Sequence, residues 1–175
     1  KELNMITISH NTLKLIKNLL ITMALFGNLA WGKEHFSMKN PHGTTLTVDL
    51  AITQKEHAQG LSGLRPDQFK SGQGMLFINS SMGPRRFWMP DTYFNLDIIF
   101  LDNELRIVAI DRNVPAHPGM KEPPTIYKTE TYSAQFVLEI KAASSFGVKL
   151  KTGDKLIFTG STSLSEIISK IHQKQ

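Results

Sequence analysis

The sequence predicts a mainly β fold: an antiparallel jelly-roll-like β-sandwich or partly open barrel, with two or three short helices. Short apolar runs of strand length recur along the chain, separated by clusters of Gly, Pro, Asn and Ser. These runs succeed one another without the strand–helix alternation of a doubly wound parallel sheet. In one of them Leu46, Val48 and Leu50 alternate with Thr45, Thr47 and Asp49, the period of a half-buried strand. The densest stretch spans residues 74–101. There Met75–Ile78 and Phe87–Met89 flank a turn-like Asn79–Pro84, and Leu96–Leu101 follows a loop through Pro90, Asp91, Thr92 and Asn95.

In chain order, residues 1–32 read as a signal peptide. Lys14 and Lys17 precede the apolar Leu19–Leu29, and Ala30-Trp31-Gly32 supplies a small-x-small exit. The apolar stretch is too short and too interrupted for a spanning helix. A retained membrane anchor and an amphipathic helix of the folded domain are the alternatives. Residues 33–175 read as one domain. Glu34–Met38 and Thr44–Ala51 make a hairpin around Lys39–Gly43. Thr53-Gln54-Lys55-Glu56 is a capping box opening a short helix that Gly60 stops. Leu61–Gly74 is a loop with one helical turn at Pro66–Phe69. Leu101–Leu105 reverses the chain into a strand at Arg106–Ile110.

Asp111–Thr131, with Pro115, Pro118, Gly119, Pro123 and Pro124, is a long irregular segment, of the kind that is usually functional or disordered. Tyr132–Lys141 is a strand with Phe136, Leu138 and Ile140 on one face. A helical turn at Ala142–Gly147 and a last strand at Lys155–Thr159 follow. Ser163–Glu166 is a second capping box, opening a helix over residues 164–172 with Ile167, Ile168 and Ile171 in an apolar stripe. The total is about eight strands.

Composition narrows the function. With 41% apolar and 20% charged residues the chain is an ordinary globular protein, long enough for a core of its own. The net charge of +5 is spread thinly, and no Lys/Arg run makes a nucleic-acid patch. The absence of cysteine excludes disulfides, thiolate metal sites, thiol nucleophiles and a lipidated N-terminal Cys. The histidines show no His-x-His or His-x3-His spacing, so no metal site is predicted. Ser62, in Gly60-Leu61-Ser62-Gly63, reads as a turn serine and not a nucleophile elbow. No cofactor is implied.

Several pieces taken together resemble one family. They are Leu50-Ala51, Gly60-Leu61-Ser62-Gly63, Gly74-Met75-Leu76-Phe77, Phe87-Trp88-Met89-Pro90-Asp91-Thr92, Leu96-Asp97-Ile98-Ile99-Phe100, Asn113-Val114-Pro115, Tyr127, Val137-Leu138-Glu139-Ile140 and Gly153-Asp154. In this order and spacing they resemble the domain-of-unknown-function 192 family, also called uncharacterised protein family 0127. The likeness runs over residues 35–160. It implies an exported, mostly β, jelly-roll-like domain and brings no established activity. Against the family pattern, Leu64 displaces Arg65 from the Gly-Leu motif, and Asp91 stands for the usual Asn. Asn95 stands for a Pro and Ala143 for a Gly. The two Cys that many members carry in the long loop are replaced by Ala116-His117-Pro118 and Glu122-Pro123-Pro124, which leaves that loop without a staple.

The residues that could carry chemistry lie around this centre. On a strand Arg86–Met89, Arg86 and Trp88 point one way and Phe87 and Met89 the other. Trp88 is then either core or, with Arg86 beside it, a stacking platform for a ligand. Asp97 lies in a run apolar on both faces, so it must be paired or hydrogen-bonded. It either anchors the Pro90–Asn95 loop or acts as a general acid or base. Glu139 faces opposite Leu138, toward solvent in the ordinary outcome for an alternating strand. Should it meet Asp97, the two would form a carboxylate pair of glycosidase type.

The leading expectation is an exported, periplasmic or extracellular protein that touches the membrane only through its signal segment. It binds a small or extended envelope ligand, carbohydrate or peptide, through Arg86, Trp88, Asp91, Thr92, His117 and Tyr127. A hydrolase using Asp97 and Glu139, and a scaffold whose long loop contacts a protein partner, are the alternatives.

Overall fold

The computed structural model describes residues 35–173; the expected signal peptide lies outside them. Strands β1 (Phe36–Lys39) and β2 (Thr45–Ala51) form the expected antiparallel hairpin. Asn40 makes its turn: its Oδ1 accepts from the amides of His42 and Thr44, and its Nδ2 donates to the Phe146 carbonyl. Helix α1 (Gln54–Gln59) opens on the Thr53–Glu56 capping box, with both reciprocal bonds formed. Those backbone bonds, from Thr53 and Ile52, hold the Glu56 carboxyl below its ordinary range. Gly60 stops the helix at φ +46°.

The chain continues through β3 (Gln73–Arg85), β4 (Leu96–Leu101), β5 (Ile107–Val114), β6 (Tyr132–Lys141), β7 (Ile157–Thr159) and helix α2 (Leu164–His172). The seven strands form one sheet in the order β5-β4-β6-β3-β2-β1-β7, which does not close into a barrel. A bridge between Arg106 and Lys155 lies close to the two edge strands, β5 and β7. Both faces of the sheet are covered. Met38, Leu46, Leu76, Ile99, Phe136, Leu138 and Ile140 belong to one core, which α2 helps cover with Ile167. Phe77, Met89, Ile98, Phe100 and Val137 belong to a second core, which residues such as Leu61, Phe69 and Phe94 of the connecting segments help cover. All six residues of β4 are buried.

The structure departs from expectation at several points. β2 and β3 run parallel, not antiparallel. A tight hairpin would reverse the chain. Here α1 and the loop after it return the chain to the start of a strand running the same way, as a crossover does. Asn79–Pro84 is not a turn between strands. β3 runs through it and pairs with β6 on either side of a register shift between Ile78 and Gly83. The bulged residues are tied to β6 by side chains: Asn79 Nδ2 donates to the Gln135 carbonyl, and Gln135 Nε2 donates to those of Asn79 and Ser80. A bulge of this kind bends a strand without ending it. Phe87–Met89 is consequently not a strand of its own and joins only one isolated bridge, Trp88 to Lys128. β5 extends to Val114, so the irregular segment begins after it.

Nor does that segment lack ties for want of cysteine. Thr92 and His117 exchange backbone hydrogen bonds of 3.1 and 2.9 Å. His117 Nε2 donates to the Lys121 carbonyl, and Glu122 Oε1 accepts from the Ile126 amide.

A polar cleft on the second face

Within β6, side chains alternate: Phe136, Leu138 and Ile140 enter the first core, whereas Val137 enters the second. Glu139 follows the parity of Val137 and reaches the floor of a cleft of about 310 Å³. One wall is the end of α1 and the loop after it, from His57 to Ser62; another is the segment from Pro84 to Trp88. Gly60 stands over the acid. A Cβ on Gly60 would lie 3.2 Å from Phe77 Cζ and 3.9 Å from Glu139 Oε2, so the glycine leaves room that any side chain would fill.

The second wall is set by pairing with the long loop. The Phe87 amide donates to Thr129 Oγ1 at 3.0 Å, and the Thr129 amide donates to the Phe87 carbonyl at 2.9 Å. Arg86 Nε donates to the Thr129 carbonyl, and the Met89 amide to the Tyr127 carbonyl. Phe87 is drawn inward by edge contacts with Phe77 and Phe100, at centroid distances of 4.8 and 6.0 Å. Trp88 therefore turns out and is 51% exposed, which sets aside its reading as a core residue.

Glu139 is only 4% exposed, against the expectation that it faces solvent. Its carboxyl makes no hydrogen bond or ion pair with a described residue, and since no fully enclosed side-chain oxygen among them lacks a partner, the carboxyl opens to the cleft. Burial pushes its carboxyl up to about 8, so it carries a proton at neutral pH. Arg85 and Arg86 line the cleft and enter no ion pair among the described residues.

Asp97 is buried as expected, but its partners are different. Its Oδ1 accepts from the Asn113 amide at 2.9 Å and its Oδ2 lies 3.4 Å from Arg112 Nη1. It fastens the end of β5 and not the Thr92 loop. Asp97 pairs with Ile140 and Ile98 with Glu139, so neighbouring strands place the two carboxyls one residue out of step, on opposite faces. A carboxylate-pair hydrolase built on Asp97 and Glu139 is thereby removed.

Of the residues expected to bind ligand, Arg86, Trp88 and Thr92 line the cleft. Asp91, His117 and Tyr127 do not line it and tie the segment 84–92 to the long loop. Asp91 Oδ1 accepts from the Gly119 amide, His117 bridges Thr92, and the Tyr127 carbonyl receives the Met89 amide. Sequence reasoning missed His57, Gly60, Ser62, Phe77 and Asn79 as lining residues. The Gly60-Leu61-Ser62-Gly63 motif was the available signal, and it read as a plain turn.

An open seven-stranded sheet with a polar cleft on one face defines a small β domain. The chain belongs to the DUF192 family, described as uncharacterized ACR, which it matches over residues 37–158. Similar solved structures include the following two. A candidate transcription regulator from Sinorhizobium meliloti 1021 is 30% identical, with a TM-score of 0.56 over 75% of this chain and 98% of its own. A protein of unknown function from Novosphingobium aromaticivorans DSM 12444 is 27% identical, with a TM-score of 0.56 over 70% and 83%. No curated protein matches.

Two departures from the family pattern acquire a physical meaning. Asp91 and Ala143 have φ values of +51° and +58°, the left-handed region that Asn and Gly adopt more readily.

Proposed function

We propose that this protein is a binding protein of the cell envelope, exported by residues 1–32, whose cleft holds a small carbohydrate unit. The observation that carries the reading is Glu139: a buried carboxyl at the floor of a cleft, with no partner among the described residues. No fully enclosed side-chain oxygen among the described residues lacks a partner, so this carboxyl opens to the cleft and is available to whatever enters it. An aromatic face (Trp88), planar guanidinium donors and amide and hydroxyl groups around one carboxyl suit the alternating apolar and hydroxyl surfaces of a sugar. At about 310 Å³ the cleft is at the small end for ligand sites, which favours a compact ligand over an extended peptide. Among the described residues Glu139 is the only acid lining it, which favours binding over hydrolysis by paired carboxylates.

The test is titration of the full chain with a panel of neutral and acidic mono- and oligosaccharides, followed by tryptophan fluorescence and calorimetry. Saturable binding lost in both Trp88→Ala and Glu139→Ala, with both variants folded, supports the reading. No saturable binding by any saccharide ends it.

A further inference from the structure

The hydrogen bonds already made around the cleft leave its two walls with opposite chemistry. On the α1 side the donors are engaged with backbone carbonyls. His57 Nε2 donates to Ala51, Gln59 Nε2 to Ser62, and the Ser62 hydroxyl to Pro90. What remains there is acceptor capacity: His57 Nδ1 in the neutral ring, Gln59 Oε1 and the Ser62 oxygen. On the opposite wall the free groups are donors. Arg86 uses its Nε on the Thr129 carbonyl, leaving both terminal nitrogens. Arg85 uses Nε on Ala134 and Nη2 on Ser81, leaving Nη1. No described acid pairs with either guanidinium.

We propose that the cleft selects an acidic sugar, its carboxylate on Arg85 and Arg86 and its hydroxyls donating to the wall formed by His57, Gln59 and Ser62. This rests on the carbohydrate reading above and narrows it. A neutral sugar would offer no charge to the exposed Arg86 or the half-buried Arg85 that line the cleft. A bare anion would leave the acceptor wall and the Trp88 face unused. A carboxylate takes planar, paired hydrogen bonds from a guanidinium, and a sugar ring carries its hydroxyl donors on the far edge. Glu139, protonated at neutral pH, adds a donor at the floor and no repulsion toward the bound acid.

The experiment is calorimetric titration of the full chain at neutral pH with four probes: D-glucuronate, its methyl ester, D-glucose and inorganic phosphate. The expected result is saturable glucuronate binding, with the ester, glucose and phosphate each about tenfold weaker or more. Arg86→Gln is expected to abolish the preference for glucuronate over its ester. Should that variant unfold, the wild-type probe series decides alone. Equal binding of glucose and glucuronate overturns the acidic-sugar assignment and leaves the carbohydrate reading standing. Phosphate binding as tightly as glucuronate overturns the assignment by showing a site indifferent to the ring. Failure of all four probes overturns it too, and failure of every saccharide in the wider panel removes the carbohydrate reading with it.

Discussion

Asp97 on β4 and Glu139 on β6 lie on adjacent strands and are almost equally hidden, at 3% and 4% exposure. Asp97 looks into the first core, toward the close-packed Gly147, and has an amide and a guanidinium at hand. Glu139 looks the other way, into an open cleft, and has no partner among the described residues. A buried carboxyl that is fully partnered holds structure together; one left unpartnered costs stability at every pH where it would ionise. Depth of burial alone therefore does not separate an anchor from a site. The partner list does.

The largest expected effect breaks the Asp97 side of the comparison. Arg112 straps Asp97, Gly147 and Leu150 through its guanidinium. Arg112→Met is expected to cost about 2–3 kcal/mol, because it removes three bonds of a half-exposed guanidinium and leaves a buried carboxylate without its cation. Asp97→Asn keeps an acceptor for the Asn113 amide and is expected to cost about 2 kcal/mol. Urea denaturation at neutral pH measures both. If either variant is as stable as the parent, Asp97 is not an anchor.

Glu139 should reveal itself through pH. Its folded-state carboxyl titrates at about 8, well above its unfolded value near 4.5. Between those two values the unfolded chain has released the proton and the folded chain retains it. Stability is therefore greatest below the lower value. It falls by about 1.4 kcal/mol for each pH unit toward the upper one and is flat above it. Glu139→Gln is expected to remove that slope, with denaturation midpoints measured from pH 5 to 9. A parent protein without the slope would mean that the carboxyl is solvated or paired after all.

A smaller effect is expected at Gly60, which separates the acid from the loop above it. Gly60→Ala places a Cβ 3.2 Å from the Phe77 ring at a φ of +46°. The strain is expected to cost about 1–2 kcal/mol, and the methyl group to weaken ligand binding by narrowing the approach to Glu139.

Several local signals were legible because the deciding interaction is itself local, although the expected second box at Ser163–Glu166 forms only its first half, the Glu166 amide donating to Ser163 Oγ. The Thr53–Glu56 box, the Asn40 turn and the bounds of β6 depend on residues a few positions apart. The double covering of β4 was legible because apolar residues fill both of its faces. The bulge at Asn79 was not, since its ties run to Gln135 on another strand. Nor was the burial of Glu139. On β6 alone it occupies the face an alternating strand turns to water, and it is hidden only because the Gly60 loop and the Arg86–Trp88 segment come to cover it. Of the residues expected to bind ligand, Arg86, Trp88 and Thr92 lie on the segment that lines the cleft. Asp91, His117 and Tyr127 do not line it and instead tie that segment to the long loop.

The sharpest form of the comparison is also the one with the smallest effect on stability. Phe87 and Trp88 are consecutive, yet one packs edge-on against Phe77 and the other leaves half its surface in water. An indole so exposed adds little to the fold, and Trp88→Ala is expected to change unfolding free energy by less than about 1 kcal/mol. If Trp88 serves the same cleft as Glu139, the same substitution should still remove saccharide binding. A stability loss comparable to that of Arg112→Met would place Trp88 with the anchors. A silent effect on both stability and binding would leave the cleft with a floor and no platform.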